Sequence, residues 1–307
     1  MVSLVQPLNR ASRVLDEARD EGKLVMAKQR KAPPDPAQVA QEASIKVNLA
    51  HIKNKLLVMS GKGGVGKSTV AVNLAKALAN RGFKVGLMDV DLHGPSIPRM
   101  LGLFGLASAT HDAIVPLPVG DNLKVVSIEI LTDQKDQAVI WRGPLKIGVI
   151  RQFVADVQWG DLDYLVVDSP PGTGDEPLSV IQTIPEAKAI LVTTPQEISL
   201  ADVRKSISFC RTVEMEMLGL VENMSGLACP HCGGRIDLFH SGGGAALAEA
   251  QGVPFLGAIP LDPAVVVSAD QGRPVVDLEA ADSPVVKAYD DLVTRVVKAA
   301  GTEETVH

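Results

Sequence analysis

The stretch Gly61-Lys62-Gly63-Gly64-Val65-Gly66-Lys67-Ser68-Thr69 decides how this chain is read. It fits the spacing G-x-x-x-x-G-K-[ST], in which glycines let successive backbone N–H groups turn inward around phosphate oxygens at the positive start of a helix. On this reading Gly61, Gly63, Gly64, Val65 and Gly66 form the cradle, and Lys67 brings point charge to the β- and γ-phosphates. Thr69 completes the loop, and the Ser68 hydroxyl is the expected Mg²⁺ ligand. The flanks agree with this: an apolar run at 56–59 leads into the loop, and an Ala- and Leu-rich stretch at 70–79 continues as a helix. A glycine-rich linker would carry neither flank.

Working outward, apolar runs at 55–60, 84–90, 124–128, 164–168, 189–193, 219–224 and 255–259 alternate with helical stretches. Near-continuous Val/Leu/Ile runs separated by helices predict an α/β fold, a mostly parallel sheet covered on both faces, with ligands at the carboxyl ends of its strands. The first fifty-two residues differ, with a charged, weakly helical stretch at 10–21 and a basic Pro-containing linker at 28–36. The expected organisation is an extension at 1–52, partly helical or mobile, an ATPase domain at 53–300 and a flexible tail at 301–307. With 307 residues, 46% of them apolar, the chain can bury one substantial core.

Composition narrows the function classes. A formal net charge of −6 offers no overall basic field for nucleic acid or anionic lipid. No apolar run is long enough to cross a bilayer and no signal-peptide pattern opens the chain, so a cytoplasmic location is expected. Three cysteines, two of them close together, do not make a disulfide framework. The helix at 284–300 mixes Asp290 and Asp291 with Lys287, Arg295 and Lys298 and reads as a packing helix, not a membrane-seeking one.

Further candidate residues fall at predicted strand ends. Asp89 and Asp91 follow the second strand. Asp91 is the candidate to orient or deprotonate an attacking water, with Asp89 nearer Mg²⁺, and the competing use of these acids is to cap the helix beginning near Ser96. Asp168 ends a buried strand before a Gly/Pro turn, where a carboxylate holds Mg²⁺ directly or through water, and Gly172 and Gly174 provide hinge points in the loop after it. Asn223 can read a base edge with its amide, with Pro260 and Asp262 flanking the same base. Lys62, the second lysine of the loop, sits at the wrong end to duplicate Lys67. Either it is a solvated surface residue or it reaches a neighbouring molecule's nucleotide, as an arginine finger does. Cys229-Pro230-His231-Cys232 places two thiolates at C-x-x-C spacing, half of a metal site, with zinc and iron–sulfur equally open on the residues alone. Cys210 lies in a predicted helix and reads as a small buried apolar residue.

The loop K-G-G-V-G-K-S-T resembles the deviant Walker A loop of the MinD/Mrp/nitrogenase-iron-protein class of P-loop NTPases. Trp141-Arg142-Gly143-Pro144, Trp159-Gly160-Asp161-Leu162-Asp163-Tyr164, the run from Asp168 to Asp175, Val221-Glu222-Asn223-Met224 and Cys229-Pro230-His231-Cys232-Gly233 are together similar to the Mrp/NBP35 (ApbC) family of iron–sulfur carrier ATPases. The likeness spans about 53–271. It implies a homodimer that binds ATP and Mg²⁺, holds a [4Fe–4S] cluster between subunits through Cys229 and Cys232, and passes it to apo-proteins, with cluster-assembly proteins as further partners. It also implies the crossed role for Lys62 and base recognition by Asn223. No cysteine precedes Cys210, so the chain resembles the short prokaryotic type. The competing class is a MinD/ParA-like positioning or regulatory ATPase with a structural zinc.

Overall fold

The computed structural model describes residues 35–91, 94, 96–103, 113–131, 143–228, 235–236, 238–278 and 283–302. Cys229, His231, Cys232, Trp141 and Arg142 lie outside them, as do most of the extension and the tail beyond 302. The chain divides into two units, 1–42 and 43–307. Of the first, the described part is 35–42, the opening turns of helix α1 (Pro36–Ala50), where Asp35 Oδ1 accepts from Ala37 N at 3.0 Å.

In the second unit the strands are β1 (Ile52–Ser60), β2 (Val85–Asp89), β3 (Leu117–Val119), β4 (Leu123–Ser127), β5 (Leu162–Asp168), β6 (Lys188–Thr193), β7 (Met217–Ala228), β8 (Arg235–Ile236) and β9 (Phe255–Leu261). The helices after α1 are α2 (Lys67–Asn80), α3 (Ile97–Met100), α4 (Gly143–Asp156), α5 (Asp175–Thr183), α6 (Glu197–Thr212), α7 (Gly243–Gln251), α8 (Pro263–Asp270) and α9 (Pro284–Ala300). Among the described residues one sheet runs β3-β4-β2-β5-β1-β6-β7-β8, with β9 also paired to β7. Every pairing from β4 through β9 along the central path is parallel, while the short β3 and β8 pair antiparallel.

The near-continuous apolar runs are explained by two cores, one on each face. Successive residues of a strand point to opposite faces, and in β1 Leu57 and Met59 join one core while Leu56 and Val58 join the other. In β5, Leu165 and Val167 alternate with Tyr164 and Val166 in the same way. Each such fully buried Leu or Val contributes ~1.5–3 kcal/mol relative to exposure. The first core takes in α4, α6 and α7 with Ile45 and Leu49 of α1, and the second takes in α2 and α9. In α9, Val285, Tyr289, Leu292, Val293, Val296 and Val297 are buried, a helical stripe spent on packing. Trp159 packs close against β2: it is buried, and a Cβ on Gly86 would lie 2.9 Å from its ring. Cys210 is fully buried in α6, and burial pushes its thiol up to about 11.

With the central strands parallel, their carboxyl ends share one edge. Ser60, Asp89, Asp168, Thr193 and Asn223 stand at or near those ends, and Asp89 is the direct register partner of Asp168.

Candidate functional site

The loop between β1 and α2 is built as its glycines require. Gly64 and Gly66 adopt φ of +81° and +80°, where a side chain is strained. A Cβ on Gly66 would lie 2.2 Å from Asn223 Nδ2, and one on Gly61 would lie 2.4 Å from the backbone of Asp202 in α6. Gly63 has neither a positive φ nor an atom within 4 Å of its would-be Cβ. Helix α2 starts at Lys67 with Gly66 as its N-cap and no side-chain cap, so its first N–H groups face the loop.

Lys67 is 6% exposed and its Nζ lies 2.6 Å from Asp168 Oδ1, 3.7 Å from Asp91 Oδ2 and 3.3 Å from Ser68 Oγ. One ammonium thus faces two carboxylates from two strand ends, which brings together Lys67, Ser68, Asp91 and Asp168. Asp89 is 1% exposed. Its Oδ2 accepts from Ser127 Oγ at 3.0 Å and its Oδ1 from Asp91 N at 3.1 Å. The helix beginning at Ile97 has Ser96 as its N-cap, so neither acid is used as its cap. Burial, reinforced by the charge of Asp168, raises the Asp89 carboxyl well above the ordinary carboxylate range. Burial also raises Asp168, with Lys67 and the Ser68 hydroxyl opposing.

Mg²⁺ fits this donor set. Asp168 Oδ2 is buried with no hydrogen-bond partner among the described residues, an acceptor left for a cation or its water. Among those residues no group of three or more His, Cys, Asp or Glu is arranged to hold a metal ion. An ion held by one or two carboxylates plus substrate phosphates needs no such group.

The remaining residues are less convergent. Ser60 Oγ donates to Lys62 O at 2.9 Å, which shapes the loop, while the Lys62 side chain makes no ion pair among the described residues. Gly172, at φ +94°, donates its N–H to Ser60 O at 2.8 Å and so ties the turn after β5 to the phosphate loop. Asn223 donates from Nδ2 to Val65 O at 2.9 Å, bracing the loop from β7. Asp262 Oδ1 accepts from Ala264 N at 2.8 Å as the N-cap of α8, following Pro260 at the end of β9.

Sequence reasoning gave Glu222 no role, yet it is fully buried. Its Oε1 accepts from Gly242 N–H at 2.9 Å and from the Ser225 hydroxyl, and its Oε2 accepts from Gly244 N–H. A charged residue inside an otherwise apolar strand run was the available signal.

A phosphate loop, a buried lysine and strand-end carboxylates occur in many nucleotide-binding proteins, so comparison decides among them. The NUBPL iron-transfer P-loop NTPase family matches residues 51–297. The chain belongs to this family. It is 47% identical over 267 residues to an iron-sulfur cluster carrier protein of Methanocaldococcus jannaschii, covering 86% of this chain and 91% of the relative. To the human cytosolic Fe-S cluster assembly factor NUBP2 it is 47% identical over 258 residues, covering 82% and 95%. Among solved structures, the nucleotide-binding protein of Archaeoglobus fulgidus in complex with ADP superposes with a TM-score of 0.68 at 41% identity, covering 76% of this chain and 92% of that one. The family and the fold agree with the resemblance read from the motifs.

Proposed function

We propose that this chain is an ATP-hydrolysing carrier that holds a [4Fe–4S] cluster as cargo between two copies of itself and hands it to apo iron–sulfur proteins in the cytoplasm. The ATPase domain is 53–300, with 1–52 an extension and 301–307 a tail. The observation that carries the reading is the course of β7. It braces the phosphate loop through Asn223 and continues to Ala228, the residue before Cys229. The nucleotide loop and the thiolate pair are therefore served by one strand.

Phosphoryl transfer needs positioning and charge more than covalent help. Backbone N–H groups of 61–67 and the uncapped start of α2 hold the phosphates, and Lys67 exchanges its carboxylate partners for the β- and γ-oxygens. Asp91, released from the 3.7 Å contact with Lys67, orients the attacking water. Lys62 reaches the partner copy's γ-phosphate, so hydrolysis depends on dimerisation. Asn223, Pro260 and Asp262 surround the base. Ser68 and Asp168, with Asp89 behind them, would hold Mg²⁺, which would supply positive charge against the phosphates. A membrane-positioning ATPase is disfavoured because the apolar stripe of α9 is buried. Among the described residues no helix is long and apolar enough to cross a membrane.

The test is iron, acid-labile sulfide and zinc per dimer in anaerobically purified protein, beside a Cys229→Ser/Cys232→Ser variant. Iron and sulfide that vanish in the variant support the carrier. Zinc that resists cluster reconstitution, or no metal, supports the regulatory ATPase instead.

A further inference from the structure

Strand β7 carries two adjacent polar side chains, which leave it on opposite faces. On one face Asn223 Nδ2 donates to Val65 O of the phosphate loop. On the other, buried Glu222 accepts three hydrogen bonds, from the Ser225 hydroxyl, Gly242 N–H and Gly244 N–H. Those donors stand on the two sides of the segment 226–241, which contains Cys229 and Cys232. One carboxylate therefore joins the latter part of β7, ahead of the cysteines, to the start of α7, after them, where the N–H groups favour negative charge.

The local sequence is shaped around this junction. Gly242 adopts φ +81°, and a Cβ on Gly244 would lie 2.9 Å from Glu222 Oε2. On either side of Ser225 β7 departs from regular strand geometry: Met224 has φ +58° and Gly226 +71°. The pairing with β9 also breaks register between Asn223 and Leu227. A cavity of about 520 Å³ lies beside the junction, lined by Glu222, Ser225, Leu227, Gly242, Ala245 and Pro260. Beside that cavity the carboxylate's hydrogen bonds hold Ser225, Gly242 and Gly244 together.

We propose that Glu222 is a positioning residue that fixes the two roots of the cysteine-bearing segment and, through its chain neighbour Asn223, couples their setting to the phosphate loop. A ligand that shifts Val65 O moves Asn223 and the end of β7 with it, and Glu222 carries that movement to both roots. The inference rests on the carrier reading for its purpose, while its geometry concerns only Ser225, Gly242 and Gly244 around Glu222.

Glu222→Gln is the first perturbation. A glutamine has one acceptor oxygen where the carboxylate uses two, so its amide group faces an N–H and at least one of the backbone anchors is lost. Ser225→Ala removes a single anchor and leaves both backbone anchors in place. The readout is the rate at which Ellman's reagent modifies Cys229 and Cys232 in the reduced, cluster-free full chain, with and without Mg-ATP. Cys210 is buried and should not contribute to that rate. In the wild type the nucleotide should change that rate by about fivefold or more, the span of ordinary site coupling. Glu222→Gln should abolish the dependence while ATP affinity, measured with a fluorescent analogue, is retained, and Ser225→Ala should weaken it. A wild-type rate indifferent to nucleotide overturns the proposal, as does a dependence that survives Glu222→Gln. So does loss of ATP affinity together with the dependence, which marks a general structural role. If the Gln variant does not fold, an undiminished dependence in Ser225→Ala overturns it. Iron and sulfide analysis of the same wild-type preparation judges the carrier reading separately, because thiol reactivity needs no cluster.

Discussion

Three glycines of the phosphate loop should respond to alanine in a graded way set by their surroundings. Gly63 has an ordinary backbone and open space at its would-be Cβ, so Gly63→Ala should change stability by less than about 0.5 kcal/mol. Gly64 has open space but φ +81°, which should cost ~1–2 kcal/mol in backbone strain. Gly66 carries the same strain at φ +80°, and its Cβ would stand 2.2 Å from Asn223 Nδ2. Gly66→Ala must therefore also displace the amide from Val65 O. A lost hydrogen bond and a stranded buried acceptor add ~1–3 kcal/mol, for a total of about 2–5 kcal/mol. The assay is urea unfolding of the nucleotide-free chain. A double-mutant cycle isolates the clash: in an Asn223→Ala background the cost of Gly66→Ala should fall to that of Gly64→Ala. Equal destabilisation by all three single variants, or an unchanged cost of Gly66→Ala in that background, would refute the reasoning.

Other expectations follow from the same site. Lys67→Ala should abolish nucleotide binding while leaving metal at Cys229 and Cys232, and should destabilise the fold by ~3–5 kcal/mol by leaving Asp168 buried and unpaired; equilibrium dialysis with ADP and metal analysis check it. Asp89 has a raised folded-state value, so the folded chain holds a proton that the unfolded chain has released. Stability should therefore fall as pH rises from about 4 through the raised value. Asp89→Asn, whose oxygen still accepts from Asp91 N–H and whose amide donates to Ser127, should flatten that fall in urea unfolding; an unchanged slope counts against it. The Cys210 thiol, pushed up to about 11, should stay silent near neutral pH, so Ellman's reagent should titrate two of the three thiols in the folded, cluster-free chain and the third only on denaturation.

Local patterns were legible in the sequence and distant pairings were not. The phosphate loop, the β1–loop–α2 order, the seven long strands and the packing stripe of α9 follow from spacing and periodicity within a few turns of chain. Strands β3 and β8 escaped notice because two or three residues carry no period. The ion pair of Lys67 with Asp168 joins positions 101 residues apart, and the Asn223–Val65 hydrogen bond joins positions 158 apart. Each end was singled out, yet nothing local states that they meet. Glu222 was passed over because its partners are a hydroxyl three residues on and backbone N–H groups at Gly242 and Gly244, and backbone donors leave no side-chain signature. The glycines there, forced by φ +81° at Gly242 and by the approach of Glu222 to Gly244, were the trace it left.

The most direct test of the account is cluster transfer. Cluster-loaded protein is mixed with an apo-enzyme that is active only with a [4Fe–4S] cluster, and acceptor activity is followed with and without Mg-ATP, beside Lys67→Ala and Cys229→Ser/Cys232→Ser. The account predicts that the acceptor gains activity from the wild type, that ATP changes the rate, that Lys67→Ala transfers without responding to ATP, and that the double cysteine variant transfers nothing. Transfer indifferent to ATP in the wild type, or equal transfer from the double variant, would contradict it.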